Sequence, residues 1–516
     1  MWNPKYNESV LERRQVSQMG GGADRIDNQH RKGKMTARER LTCLFDKGSF
    51  MEINSQVKSN GAGAGLPGKN FPGDGVVIGY GTIDGRMVCA SSQDFTVIGG
   101  TLGEYHSQKI CRIMGFALKA RCPYISINDS GGARIEEGIA SLNGYSGIFY
   151  RNTQASGIIP QISIVLGPCA GGACSSPAIT DYIFMARKTA NMFITGPAVV
   201  KAVIGEDVST EELGGARVHV EKSGVVHFVY NDDRACLDGV KKLLSYIPGN
   251  CDELPPDAPA VANRVAESIE EIVPDDQRRV YDVKQVISAI VDGDSFFEIQ
   301  EDFARNIVIG FARIDGASVG IVANNPKGSL VGSLDIDSSE KAARFIRFCD
   351  CFNLPVLTLV DVPGFMPGKD QEHGGIIRRG AKLLYAYAEA TIPKITLIMR
   401  KAFGGAYIAM NSKGLGADMV FAWPIAQTAV MGAEGAVSIM YSKQIATADN
   451  PELERARLID AYNEQYMNPF IAVEKGYIDE IILPEETRQK ISEALKALKN
   501  KDRASVGRRH HGNIPL

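Results

Sequence analysis

"RKAFGGAYIAM" occupies Arg400–Met410, and "GPCAGGACSS" occupies Gly167–Ser176. Each sets Gly-Gly-Ala directly after an apolar run. Moving outward from the two turns, the likeness continues. "IPQISIVLGPCAGGA" (159–173) aligns with "IPKITLIMRKAFGGA" (392–406), Gly171 on Gly404, at an offset of 233. "RCPYISIND" (121–129) aligns with "NLPVLTLVD" (353–361) at 232, and "VIGYGTIDG" (77–85) with "VIGFARIDG" (308–316) at 231. "DKGSFMEI" (46–53) returns as "DGDSFFEI" (292–299). Matches in one order at nearly constant spacing identify a duplicated domain.

Each half carries the same pattern. "SQKICRIMGFALKA" spaces Ile110, Met114, Ala117 and Leu118 at helical steps, and its partner "SSEKAARFIRFCD" offers Ser338 or Ser339 as a cap. A proline then opens an almost wholly apolar strand, "PYISI" or "PVLTL", the signature of a strand covered on both faces. Strands alternating with helices predict an α/β fold of stacked βαβ units. "KMTARER" sets Thr36 and Glu39 at capping-box spacing, which predicts a helical N-terminal arm. The proline- and acid-rich stretch from about 246 to 276 reads as the linker.

Composition narrows the function. The chain has 516 residues, 23% of them charged, and a formal net charge of −3, which offers no footprint for nucleic acid. No apolar run has the roughly 18 residues needed to span a bilayer, and the N-terminus resembles no signal or transit peptide, so a cytoplasmic location is expected. The ten cysteines include no CxxC and no zinc spacing, and most read as small buried hydrophobes. No metal is expected.

A strand that stops in Gly-Gly and continues as a helix presents first-turn N–H groups at the positive end of the helix dipole. One isolated Gly-Gly is best explained by tight helix–strand packing. In this chain each half adds a second glycine loop one strand earlier, "NDSGGARIEEG" (128–138) and "VDVPGFMPG" (360–368). Two such loops can each aim an N–H at a common point, the geometry of an oxyanion hole. Neither loop has the dinucleotide G-x-G-x-x-G or the Walker lysine.

The strand–turn–helix "PQISIVLGPCAGGA…TDYIFM" resembles the crotonase superfamily. The wider set is more specific. "GKMTARERL", "SQDFTVIGGTLGE", "MFITGPAVVK", "GEDVSTEELGG", "GGIIRRGAKLLYAYAEATIPKITLI", "LGADMVFAWP" and "RRHHGNIPL", with both glycine loops, resemble the carboxyltransferase subunits of biotin-dependent enzymes. Propionyl-CoA carboxylase β, methylmalonyl-CoA decarboxylase α and the large transcarboxylase subunit form the nearest group. The likeness runs from about residue 20 to Leu516.

That resemblance implies tandem crotonase-like (ClpP/crotonase) domains of stacked ββα units, residues 1–255 on the acyl-CoA side and 256–516 on the biotin side. It implies a hexamer whose active sites join the first half of one protomer to the second half of another. It implies that Gly171 and Gly172, helped by Gly131, Gly132 and Ala133 and flanked by Ala170, hold a thioester oxygen as it becomes an enolate. Gly405 and Ala406, opposite Gly364 and Phe365, would hold the ureido oxygen of biotin. Carboxybiotin would release carbon dioxide, its ureido anion would take the α-proton, and the enolate would attack the carbon dioxide. The cofactor is then the base, which accounts for a chain without a nucleophile motif.

The remaining candidates are weaker. Arg134 reads equally as a surface helix residue or as a guide for a CoA phosphate. Lys34, Arg38 and Arg40 read as a solvated helix face, and Lys327, within the family-like segment 324–345, as either solvated or an acyl-CoA or subunit contact. Asp129 and Asp361 are expected to brace their loops by hydrogen bonding. Ile408, just past the second turn, leaves acyl-chain preference open, and His373 has no role assigned. No "AMKM"-like tetrapeptide and no ATP-grasp pattern occur, so biotin is expected on a separate carrier protein. The partner is then a biotin carboxylase subunit, a transcarboxylase carrier or the membrane subunit of a sodium-pumping decarboxylase. The expected substrates are propionyl-CoA and methylmalonyl-CoA. A biotin-independent crotonase-type hydrolase or isomerase and a non-catalytic CoA- and carrier-binding scaffold are the rivals from other classes.

Overall fold

The computed structural model describes residues 3–59, 71–262, 268–328 and 330–502. The motif "RRHHGNIPL", five residues of the expected linker and Ser329 lie outside the described residues. The chain divides into two compact units, Met1–Glu253 and Leu254–Leu516, two residues before the boundary expected from the sequence.

Unit 1 contains strands β1 (Met51–Ile53), β2 (Val76–Ile83), β3 (Arg86–Gln93), β4 (Tyr124–Ser130), β5 (Gln161–Ala170), β6 (Tyr182–Ala186), β7 (Asn191–Phe193) and β8 (Phe228–Tyr230). They form one sheet in the order β1-β2-β3-β4-β5-β6-β8, with β7 on the end of β5. The first three strands pair antiparallel and the rest parallel. Unit 2 repeats this with β9 (Phe297–Ile299), β10 (Ile307–Ile314), β11 (Ala317–Asn324), β12 (Val356–Val362), β13 (Lys394–Phe403), β14 (Met419–Ala422), β15 (Gln427–Ala429) and β16 (Glu480–Ile481). Its order, β9-β10-β11-β12-β13-β14-β16 with β15 on β13, matches unit 1 strand for strand.

Every residue of β4 and of β12 is buried, as expected of strands covered on both faces. In unit 1 the Glu104–Ala120 helix supplies Ile110, Ile113, Met114 and Ala117 to the core and packs on the Ile139–Ala155 helix. In unit 2 the Ile336–Cys351 and Ile376–Glu389 helices pair in the same way. The Ile336–Cys351 helix corrects one reading: its cap is Asp335, not Ser338 or Ser339. Asp335 Oδ1 accepts from Ser338 N at 2.9 Å while Ser338 Oγ accepts from Asp335 N at 2.8 Å, so the serine closes a capping box from inside the helix. The Thr36–Glu39 capping box of the arm forms as expected, ahead of Ala37–Leu44.

The linker is narrower than its composition suggests. Tyr246 and Ile247 are buried, and Ile272 and Val273 belong to the core of unit 2, where Ser268 caps a short helix. Among the described residues, no helix is long and apolar enough to cross a membrane, and no group of side chains could hold a metal ion.

Candidate functional site

Each unit ends two adjacent parallel strands in glycine loops. In unit 1 these are β4 and β5, and between the pairs Asn128–Val165 and Ser130–Cys169 the single residue Asp129 faces Leu166, Gly167 and Pro168, a bulge on β5. In unit 2, Asp361 of β12 likewise faces Met399, Arg400 and Lys401, a bulge on β13. A bulge bends its strand and re-aims the chain beyond it, here the Gly-Gly turn. The neighbouring loop Gly131–Ala133 is pinned by a single parallel bridge between Leu102 and Ala133. Leu102 N donates to Gly132 O, and Arg134 N donates to Leu102 O, both at 2.9 Å. Successive groups of an extended segment face opposite ways, so the N–H of Ala133 points away from Leu102, toward the β5 side. Unit 2 repeats this at Leu334 and Phe365: Leu334 N donates to Gly364 O at 3.0 Å, and Met366 N to Leu334 O at 2.7 Å.

The facing turn comes after β5. Gly171 has φ of 61° and leads into the Gly172–Ile179 helix; Gly404 has φ of 60° and opens the Gly404–Ala409 helix. Only glycine adopts that backbone without strain. First-turn N–H groups have no acceptor within their own helix. Ala133 and Gly172 in unit 1, and Phe365 and Gly405 in unit 2, are thus the candidate backbone donors at the ends of neighbouring strands, and in unit 2 the Phe365 ring stands 3.8 Å from the place a Cβ would take at Gly405.

Three sequence expectations change. Gly171 cannot lend its N–H, because it already donates to Phe193 O at 3.0 Å. The register match of Gly171 with Gly404 makes Gly172 and Ala173 the counterparts of Gly405 and Ala406. Gly131 is likewise engaged, donating to Gly99 O at 3.0 Å, and Gly132 donates to Ser130 Oγ at 3.1 Å. The loop's outward donor is thus Ala133.

Arg134 is neither a surface residue nor a phosphate guide. Its side chain is fully buried, with Nη1 on Asp74 at 2.8 Å and on Glu137 at 2.6 Å, and Nη2 on Thr101 O at 3.0 Å. Burial pushes the Asp74 carboxyl up, and the Arg134 guanidinium opposes that shift.

The arm cations are not solvated either. Lys34 Nζ lies 2.7 Å from Asp129 Oδ1, Arg40 Nη1 lies 2.9 Å from Asp129 Oδ2, and Arg40 Nε lies 2.8 Å from Asp233 Oδ2. Gln29 completes the cage on Asp129 at 3.1 Å. Burial pulls the Lys34 ammonium below its ordinary value, against the attraction of Asp129. Arg38 is partly buried on Glu52 at 2.8 Å. Asp361 is braced too: it accepts from Arg400 Nε at 2.8 Å, Tyr281 OH at 3.0 Å and Lys401 N at 3.1 Å. In the sequence Arg400 and Lys401 stand together toward the end of an otherwise apolar strand, a signal that marks the pair without giving its partners.

Ala170 is half-buried beside its turn, and Ala406 is fully buried beneath its own. Ile408 is exposed on the short helix past the turn, and His373 is exposed on the Lys369–His373 helix. Lys327 is exposed and reaches Asp282 at 3.2 Å.

Residues 28–514 match the model of the carboxyl transferase domain. The chain belongs to the carboxyl transferase family. This carboxyltransferase is 52% identical over 514 residues to the propionyl-CoA carboxylase carboxyltransferase subunit of Haloferax mediterranei, covering 99% of both chains. It is 49% identical to the methylmalonyl-CoA decarboxylase subunit alpha of Propionigenium modestum, again over 99% of each. Among solved structures, transcarboxylase 12S, a hexamer with methylmalonyl-coenzyme A bound, superposes with a TM-score of 0.95 at 50% identity, over 99% of this chain and 98% of the other. The carboxyltransferase thus has the crotonase-like architecture that the resemblance implied, in two copies as the repeat did.

Proposed function

We propose that this carboxyltransferase moves a carboxyl group between biotin on a separate carrier and the α-carbon of a short acyl-CoA, with propionyl-CoA and methylmalonyl-CoA as the pair. The observation that carries this reading is the duplicated donor set: Ala133 with Gly172 in unit 1, Phe365 with Gly405 in unit 2. Backbone N–H pairs of this kind stabilise a carbonyl oxygen as it gains negative charge, and losing one such donor typically costs about 2.7–4 kcal/mol of barrier. Two oxygens gain charge in carboxyl transfer to or from a thioester, one on each reactant. A hydrolase or isomerase needs only one such pocket.

Unit 1 takes the thioester in this reading and unit 2 takes the ureido ring. The fit to biotin is supported by open space around its donors. A Cβ at Gly364 would meet nothing within 4 Å, and one at Gly405 would come no nearer than 3.8 Å to another atom, on the Phe365 ring. A planar ring can approach there without displacing a side chain. Phe365 and Gly405 would hold its oxygen. Biotin supplies the transferable carboxyl group and, once free of it, a basic site; the chain's residues orient both reactants and hold the two oxygens. The buried Asp129 and Asp361 are spent on cations. The similarity to a hexameric transcarboxylase supports assembly as a hexamer. The partners of such a chain are acyl-CoA, a biotin carboxyl carrier protein, and a subunit that carboxylates biotin or, in a pump, a membrane decarboxylase subunit.

Turnover of methylmalonyl-CoA to propionyl-CoA by the purified chain, with and without free biotin, tests the reading. Biotin-dependent turnover is expected. Equal turnover without biotin would move the assignment to a simple decarboxylase of the crotonase type.

A further inference from the structure

The two aspartates that face the bulges are neutralised from different places. At an offset of 246 the arm residues Lys34 and Arg40 fall on Val280 and Val286, and at 233 Gly167 falls on Arg400. Where unit 1 has cations on its arm and glycine on β5, unit 2 has valines on its arm and an arginine on β13. The exchange is steric as well as electrostatic. A Cβ at Gly167 would lie 1.9 Å from Asp129 Oδ1 and 2.7 Å from Lys34 Nζ, so the glycine vacates the volume that the arm cations fill. Val286 is fully buried in the unit 2 core, leaving no room there for a second guanidinium.

A continuous set of contacts runs from each aspartate to the loop that carries the outward N–H. Asp129 N donates to Gln93 Oε1 at 3.1 Å, and Asp361 N to Asn324 Oδ1 at 3.3 Å, which ties each aspartate to the preceding strand. A Cβ at Gly100 would stand 2.1 Å from Asp129 O, and one at Gly332 2.7 Å from Asp361 O. The segment pressed on Asp129 includes Gly99, which accepts from Gly131, and Leu102, which pairs with Ala133. The corresponding unit 2 segment includes Leu334, which pairs with Phe365. A shift of the carboxylate therefore moves the end of β4 or β12, then the segment pressed on it, then the donor.

We infer that Lys34 and Arg40 are positioning residues of the thioester-side site, acting through Asp129, and that Arg400 is the positioning residue of the biotin-side site, acting through Asp361. The N-terminal arm is thus a working part of one site and has no such role in the other. This inference rests on the function proposed above.

The experiment measures the dissociation constants of methylmalonyl-CoA and of free biotin separately, with turnover and the melting temperature of each variant, on the full-length chain. Lys34→Met leaves the Arg40–Asp129 pair in place, so the variant is expected to fold. Turnover should fall, and the dissociation constant for methylmalonyl-CoA should rise tenfold or more while that for biotin stays within threefold. Arg400→Lys should do the reverse. Equal losses of affinity toward both substrates in Lys34→Met and Arg400→Lys, or a lower melting temperature with unchanged affinities and turnover, would overturn the inference. Wild-type turnover without biotin would instead overturn the function on which it rests.

Discussion

Unit 1 and unit 2 set the same bulge and the same kind of glycine turn at the end of the same strand pair, yet they back those turns differently. Behind Gly172 lies the ring of Tyr145, near enough that a Cβ would come within 2.9–3.1 Å of three ring atoms. Beside Gly405 lies only the Phe365 ring, at 3.8–3.9 Å. Facing the bulges, one aspartate is neutralised by cations of the arm and the other by an arginine of the strand itself, with the Tyr281 hydroxyl beside it. What the halves share is a main-chain path; what differs is the side-chain support. That division is expected where backbone N–H groups do the chemistry. Duplication preserved the path, and the supports were free to change as long as the path held.

The largest expected effect sharpens this difference. Arg40→Met would strip the buried Asp233 of its guanidinium and leave Asp129 to Lys34 and Gln29, and breaking a buried pair in this way costs about 3–5 kcal/mol. Its counterpart Val286 carries no charge, so Val286→Ala should cost distinctly less, through a cavity alone. Chemical denaturation of both variants measures the gap. Equal losses would mean that the two arms support their units by packing alone.

A second pair lies at equivalent positions on the long helices. Lys109 Nζ donates to Gly73 O at 2.7 Å and Val76 O at 2.5 Å; Lys341 Nζ donates to Gln300 O at 3.0 Å, Phe303 O at 2.6 Å and Ile307 O at 2.9 Å. Burial lowers them from 10.5, Lys109 to about 8 and Lys341 to about 7. Between its folded value and 10.5 each lysine binds a proton in the unfolded chain that it lacks in the folded one, so stability rises with pH across that window. The contribution is full above about 10.5 and is lost as pH falls through the folded value, at no more than about 1.4 kcal/mol per pH unit and per lysine. Lys341→Met should flatten the stability profile from about pH 7 upward, and Lys109→Met only from about pH 8. Identical profiles for the two variants would break the distinction between the cages.

The turns themselves come next. Gly172→Ala drives a methyl into Tyr145, and overpacking of this kind costs roughly 1–3 kcal/mol. Gly405→Ala meets only ordinary contact distances and should leave stability within a few tenths of a kcal/mol, as for a substitution away from packed features. Thermal unfolding of the two alanine variants would expose any hidden equivalence between the turns.

Much of this was legible in the sequence because the signals are local. Gly-Gly after an apolar strand, a proline before one and a capping box all fall within a few residues, and the repeat let each half check the other. The supports were not legible because their partners are distant. Lys34 and Asp129 are 95 residues apart, Arg134 and Asp74 are 60 apart, and Arg40 and Asp233 are 193 apart. A cation on an amphipathic arm looks solvated until the fold brings a buried carboxylate to it. Gly171 failed for a related reason. Its N–H is taken by Phe193 of β7, and a strand that short leaves little pattern to read.

The smallest effect compares helix entries. Thr36 accepts from Glu39 N at 3.3 Å while Glu39 accepts from Thr36 N at 2.8 Å, in the exposed arm. Asp335 and Ser338 form the same reciprocal pair at 2.9 and 2.8 Å, but Ser338 is fully buried, and Asp335 also takes Asn306 Nδ2 at 3.1 Å. Loss of a cap typically costs about 1 kcal/mol, within a range of 0.5–2. Thr36→Ala should fall at the low end, because water can replace the hydroxyl at an exposed helix start. Asp335→Ala should fall at the high end, because it leaves the buried Ser338 N–H without its acceptor and takes one of two acceptors from the buried Asn306 amide. If the two caps cost the same, burial adds nothing to a capping box in this protein, and the more weakly supported arm would hold its helix as firmly as the interior does.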